Sequence, residues 1–274
     1  MNAWQPLARG RPVFVYVLVV VIGVAAFIYP FWLPDATFGA EAHRGDAPLL
    51  AAGVAVLVLG AIALEARRGT MSGATIGMLA VLSAAAALLR LLDLPGGGNA
   101  MFFLIVLAGA AFGPRFGLLL GLASMAVSAV LTGGIGPWLP FQMLVLSWMS
   151  AGAGFVGIVT VRMSRWAEVV VLAVYGWIWG FIYGAVMNLW FWPFVIDDGP
   201  LAWSPGLSLS ETLQHYWSFY VATSFAWDAA GAVANAVLIL VVGIPLLRSL
   251  RRFAPRLDPI AEFELFSPQT ADAG

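Results

Sequence analysis

Apolar runs long enough to cross a bilayer alternate along this chain with short polar or breaker-rich connections. At ~1.5 Å of helix rise per residue, about 20 apolar residues span the hydrocarbon layer. Runs of that kind occur at residues 13–33, 47–66, 71–92, 116–131, 141–161, 169–189 and 213–247. A further run, 100–112, is short and needs the neighbouring glycine loop or local thinning of the bilayer to cross. Joining it to 116–131 would bury Arg115 at the Gly113-Pro114 break, so two helices are predicted there. The first run is longer than the apolar part of a cleaved signal peptide and is read as a retained helix. The pattern predicts an all-α polytopic membrane protein with eight spans and both termini in the cytoplasm.

Composition agrees with that class. Hydrophobic residues make up 62% of the chain and charged ones only 10%, which excludes an ordinary water-soluble domain. Every basic residue is an arginine, and a P-loop requires a lysine on its phosphates, so the chain is not itself a Walker-type ATPase. There is no cysteine, which removes disulfides and thiolate metal sites. His43 and His215 are too few for a histidine-rich metal centre, and no cofactor is expected.

The arginines orient the spans, because basic residues near helix ends are retained in the cytoplasm. The eight-span arrangement leaves only Arg44 and Arg90 outside, and removing one span destroys the segregation. It also brings three breaker-rich loops, around Pro95, Gly133 and Pro193, to the outer face. The most concentrated of these is Thr132-Gly-Gly-Ile-Gly-Pro-Trp-Leu-Pro-Phe-Gln142. Its glycines and prolines cannot continue a helix. Irregular backbone at membrane depth survives only at the interface, against protein or along a cavity. The stretch reads as a lid over an outward-facing pocket, flanked by Trp138 and Gln142.

Helix 71–92 carries Gly73, Gly77, Ala80, Ala84 and Ala87 at alternating steps of four and three, one small-residue stripe on one face. Such a stripe lets another helix approach closely, either within the chain or on a partner. Residues Gly117, Gly121, Ser124 and Ser128 repeat the spacing in the next long run.

Polar residues inside spans are few, and each is a functional candidate. They are Arg90, Gln142, Asn188, Asp228 and Asn235. Asp228 is expected well inside the last span, where an acid seeks a cation, and Arg90 is the arginine placed nearest. A structural Arg90 to Asp228 bridge, contact of either with substrate, and proton coupling are the three readings. Arg90 and Asp93 are also spaced to pair. Asn188 and Asn235 are expected to bond neighbouring helices. Tryptophans crowd the outer ends, which suits an interfacial belt or a pocket for a ring-bearing molecule, with Trp138 and Trp217 the pocket candidates.

The segments Leu88-Leu-Arg90, Pro95-Gly-Gly-Gly-Asn99, Phe112-Gly-Pro-Arg-Phe-Gly-Leu-Leu-Leu-Gly121, the lid through Met143, and Trp227-Asp228 before Asn235 resemble the substrate-binding S component of energy-coupling factor (ECF) importers. The resemblance covers about residues 71–252 and is most specific at the lid. Such subunits have six spans, so residues 1–70 would be a two-helix addition and 253–274 a cytoplasmic tail. The resemblance implies a multi-pass protein of a prokaryotic plasma membrane that captures a vitamin at its outer face. It then delivers the cargo by docking on a transmembrane T component carrying two ATPases. The docking face would be the stripe from Gly73 to Ala87, with the Ala80 and Ala84 pair in the docking position. The cargo would be held by Arg90, Asn99, Trp138, Gln142, Asn188, Trp217 and Asp228, and the lid is most similar to that of the cobalamin group. A proton-coupled secondary transporter using Arg90 and Asp228, needing no ATPase, is the alternative. An intramembrane lipid-modifying enzyme would need an acid paired with a base, and the chain offers mainly Asp228.

Overall fold

The structure, a computed structural model, describes residues 13–32, 52–53, 56, 72–92, 94, 99–194, 199 and 201–256. Among them are eight α-helices: α1 (Val13–Trp32), α2 (Gly73–Leu89), α3 (Met101–Phe112), α4 (Pro114–Thr132), α5 (Leu139–Thr160), α6 (Arg165–Phe191), α7 (Leu209–Thr223) and α8 (Phe225–Phe253). The predicted span at 47–66 lies almost wholly outside the described residues, as do Asp93, the glycines of 96–98 and the tail beyond residue 256. The stretches 114–132, 139–160, 165–194 and 225–253 are long and apolar enough to cross a membrane, and α1, α2 and α3 are shorter apolar helices.

Lipid tails are as apolar as leucine, so helices in a bilayer associate by close van der Waals packing rather than by exclusion of water. Two glycine seams supply that packing here. Along the first, α4 lies on α5 so closely that a Cβ on Gly121 would sit 2.4 Å from the Ser147 Cα, and one on Gly117 2.5 Å from the Ser150 carbonyl oxygen. Ser150 Oγ then donates to the Ile105 carbonyl of α3 at 3.1 Å, tying three helices at one residue. The second seam is Gly176, Gly180 and Gly184 on α6, which receive Asn235, Ala232 and Asp228 of α8. Asn235 Nδ2 donates to the Gly176 carbonyl at 3.0 Å, the expected helix-to-helix bond.

Helix α3 is separate from α4, as the Gly113-Pro114 break predicts. Gly113 adopts φ 91°, a backbone that L side chains rarely adopt, and Pro114 opens the new helix where its missing donor goes unnoticed. With 12 residues α3 is about 18 Å long at ~1.5 Å per residue, and all of it but Phe102 and Phe103 is buried. It is wrapped by protein rather than lipid, so its shortness carries no penalty.

The N-terminal helix α1 is not a loose appendage. Phe27 meets Phe141 edge-on at 5.0 Å and Trp148 at 5.8 Å, and at the other end the Arg115 guanidinium lies 5.3 Å from the centre of the Tyr16 ring.

The last run, long enough in sequence to start with an interfacial turn, forms two helices. It is divided at Ser224, whose φ of −124° leaves the helical range, into α7 and α8. Ser224 Oγ exchanges hydrogen bonds with the Asn188 amide of α6 at 2.8 and 3.2 Å, holding the bend from outside the helix. Helix α7 also begins before residue 213, because Ser208 and Glu211 form a capping box. Its hydrogen bonds from Ser208 hold the Glu211 carboxyl below the ordinary carboxylate range.

Candidate functional site

The helix ends sort into an arginine-rich end and a tryptophan-rich end. At the latter lie the end of α2, the starts of α3 and α5, and the ends of α4 and α6. The candidate polar residues are gathered there.

Arg90 is the C-cap of α2 and is half-buried. Its Nη1 points to Ser128 Oγ of α4 at 3.2 Å and to Met125 Sδ at 3.0 Å. It forms no ion pair with Asp228, contrary to the bridge that charge matching suggests. Among the described residues its partners are a hydroxyl and a thioether, neither of them charged.

Asp228 is also elsewhere than expected. The bend at Ser224 puts it in the first turn of α8 rather than well inside a span. The partial positive charge of a helix N-terminus favours a carboxylate there, which removes the need for an arginine. The carboxylate is wedged over Gly184, where a Cβ would collide with it, and Oδ2 is buried without a hydrogen-bond partner. The nearby Tyr220 hydroxyl is likewise buried and interacts with this carboxylate.

On α5, Gln142 lies one turn inside the helix, and its Oε1 is buried with no hydrogen-bond partner. The lid itself is shorter than its sequence suggests: α4 stops at Thr132 with Gly133 as a left-handed cap, and α5 resumes at Leu139. Trp138 folds back over Gly136, donates its Nε1 hydrogen to the Gly134 carbonyl at 3.2 Å and meets Trp190 edge-on at 6.4 Å. The ring contact ties the lid to the end of α6.

Two of the candidates are committed to local structure. Asn99 Oδ1 accepts the Met101 amide at 3.1 Å and so starts α3, while Asn188 holds the bend at Ser224. Trp217 is in a different ring cluster from Trp138. It stands 5.8 Å from Tyr220 and lines an apolar groove of about 430 Å³ with Trp177, Phe181 and Phe225. Of the helix-face residues, Gly73, Gly77, Ala80 and Ala84 are exposed, and Ala87 is fully buried.

Several contributors escape a sequence reading. Met125 is marked only by belonging to an ordinary apolar helix, Ser128 only by its place in the small-residue stripe, and Tyr220 only by its distance from Asp228. The seam Gly176, Gly180 and Gly184 carries a visible signal, a glycine at every fourth residue, which points to the face of α6 where Asp228 lands.

Buried polar atoms are nearly always hydrogen-bonded, so one without a partner is suited to receive a polar atom of a ligand. At this end Gln142 Oε1 has no partner among the described residues, the Asp228 carboxylate and the Tyr220 phenol have only each other, and the Arg90 guanidinium is held by Ser128 and Met125. The family model for the substrate-specific component of ECF transporters matches residues 74–243, more than half the chain. The chain belongs to that family. Searches of curated proteins and of solved structures return no match. As an ECF substrate-specific component it is a multi-pass membrane protein and a substrate-binding subunit.

Proposed function

We propose that this component captures a vitamin or related micronutrient at its tryptophan-rich end, facing outward from a prokaryotic plasma membrane. It then delivers the cargo by docking on a T component with two cytoplasmic ATPases. The family match carries this reading. Eight spans with both termini in the cytoplasm, six of them forming the core at 71–252, accommodate it.

In this reading Arg90 and Gln142 supply a charged donor and an acceptor, Asp228 and Tyr220 a second polar pair, and Trp138 a ring that swings from its contact with Trp190. A cargo with both a conjugated ring and polar substituents fits that set, and cobalamin or a precursor is the first candidate. Asn99 and Asn188 act by holding the backbone around the pocket rather than as ligands. The docking face is the α2 stripe, where a Cβ added at Gly73 or Gly77 would meet no atom within 4 Å and Ala80 and Ala84 are exposed. The protein has no catalytic step of its own, and hydrolysis of ATP belongs to its partners. The separation of Arg90 from Asp228 weighs against a proton relay built on that pair.

Thermal stabilisation of the purified protein by a panel of vitamins tests the capture step. A ligand at ~100 times its dissociation constant stabilises by about 2.7 kcal/mol. One vitamin is expected to raise Tm, and Trp138→Ala to remove most of the rise. No shift with any vitamin would overturn the capture reading and favour the alternative, a proton-coupled transporter.

A further inference from the structure

At the arginine-rich end, the start of α6 and the last turns of α8 enclose a cavity of about 340 Å³. Arg165, Arg248 and Arg252 line its mouth, and Val169, Ile244 and Leu247 form its floor. One acid is present, Glu168, and it is already engaged. Its carboxylate takes both arms of the Arg251 guanidinium, with Nη1 to Oε2 at 2.8 Å, and the Thr160 hydroxyl at 3.3 Å. Glu168 is only 4% exposed, so its charge is matched inside the protein. Arg165, Arg248 and Arg252 form no ion pair among the described residues and are exposed. Three guanidinium groups therefore line one cavity without an anion among the described residues.

Two further features lie at the same place. The cavity mouth includes the N-terminus of α6, where Ser164 caps the Ala167 amide and the first amides have no partner within the helix. Apolar stripes run from this end along both helices. Val237, Val241, Ile244 and Arg248 follow at steps of four, three and four on α8, and Trp166, Val170 and Val174 repeat every four residues on α6. Of these Val241 is 70% exposed and Trp166 63%. Each stripe runs along a membrane-crossing helix and ends at the arginines.

A charged mouth above exposed apolar stripes matches an amphipathic anion, whereas a free inorganic ion would have no use for the stripes. We infer that this cavity is a binding site for an anionic phospholipid, with the phosphate held by Arg165, Arg248 and Arg252 and the acyl chains lying on the valine stripes. Basic pockets between membrane helices bind acidic head groups by the same physics. The lipid would clamp the ends of α6 and α8 together, alongside the Glu168 to Arg251 pair. The inference is independent of the cargo and of the transport partners.

The test uses the full-length protein, delipidated in detergent and titrated with phosphatidylglycerol, phosphatidylcholine of the same acyl chains, or inorganic phosphate. Bound lipid is read by native mass spectrometry and stability by Tm. Phosphatidylglycerol is expected to be retained at least about tenfold better than phosphatidylcholine and to raise Tm, with inorganic phosphate a weak competitor. The triple variant Arg165→Gln, Arg248→Gln, Arg252→Gln should retain the two lipids alike, and Arg162→Gln, at the same end but outside the cavity, should keep the preference. Should the triple variant not fold, Arg252→Gln alone is expected to reduce the preference measurably. Equal retention of both lipids by the unaltered protein overturns the inference. Full displacement by phosphate alone would make the cavity a free-anion site and overturn it too. Undiminished preference in the triple variant, or in Arg252→Gln alone where the triple variant does not fold, does the same.

Discussion

Helices α2 and α4 carry small residues at the same spacing, and they meet opposite fates. On α4, Gly117 and Gly121 are pressed against the backbone of α5, and Ser124 and Ser128 are fully buried. On α2, Gly73, Gly77, Ala80 and Ala84 look outward, with only Ala87 drawn into the core. Small-residue spacing states that a helix permits close approach, and it does not state what approaches. The α4 stripe has its partner within the chain, as does the glycine seam of α6. The α2 stripe lacks one among the described residues, which is why it is the face proposed for docking.

The comparison breaks most visibly at Gly121. A Cβ there lies 2.4 Å from Ser147 Cα, and backbone cannot move aside as a flexible side chain does. Gly121→Leu is expected to destabilise by about 3 kcal/mol, the upper part of the range for overpacking. Tm of the purified variant, or failure to recover it from membranes, reads the effect. A near-normal Tm would mean that α4 and α5 are not in contact as described.

Ser128 ends the same α4 stripe and also accepts the Arg90 guanidinium at 3.2 Å. Removing the hydroxyl leaves Arg90 with Met125 Sδ alone. Ser128→Ala is expected to lower stability by about 1.5 kcal/mol, the weight of a hydrogen bond from a charged group. If Arg90 contacts cargo, the variant should also weaken the Tm rise given by the stabilising vitamin. A loss of stability with an unchanged ligand shift would confine Arg90 to a structural role.

How far these differences can be read in a sequence depends on the range of the forces behind them. Bilayer-length apolar runs and the Gly113-Pro114 break are local signals, and the helices follow them. Glycine spacing is local too, but the identity of the facing helix is not, so α2 and α4 look alike until they are folded. The bend at Ser224 has no proline or glycine to announce it and depends on Asn188, a residue 36 positions away. That one bend moves Asp228 from the expected middle of a span to a helix start, and with it the reason to pair with Arg90. Charge matching at a distance is the weakest guide here: Arg90 finds a serine and a methionine, and Glu168 finds Arg251, 83 positions further along.

The exposed stripe can be probed without disturbing the fold. At Gly77 nothing lies within 4 Å of an added Cβ, and a methyl group there only restricts the backbone. Gly77→Ala is expected to stabilise by about 0.5 kcal/mol, the opposite sign from Gly121→Leu, with docking intact because alanine is still small. A loss of Tm would show that α2 has a neighbour at this face.

Ala84→Trp is expected to have the smallest effect on stability. The position is exposed, and surface substitutions away from a core usually change stability by no more than about 0.5 kcal/mol. The indole would nonetheless stand several ångströms proud of a stripe whose use depends on close approach. Co-purification with the T component and its ATPases, and ATP-dependent uptake of the stabilising vitamin, should both be lost, while vitamin binding by the isolated subunit stays as before. That pattern separates docking from capture. Retained uptake with a tryptophan at this position would mean that the partner meets another face, and the bare stripe of α2 would then be lipid-facing surface like the valines of α8.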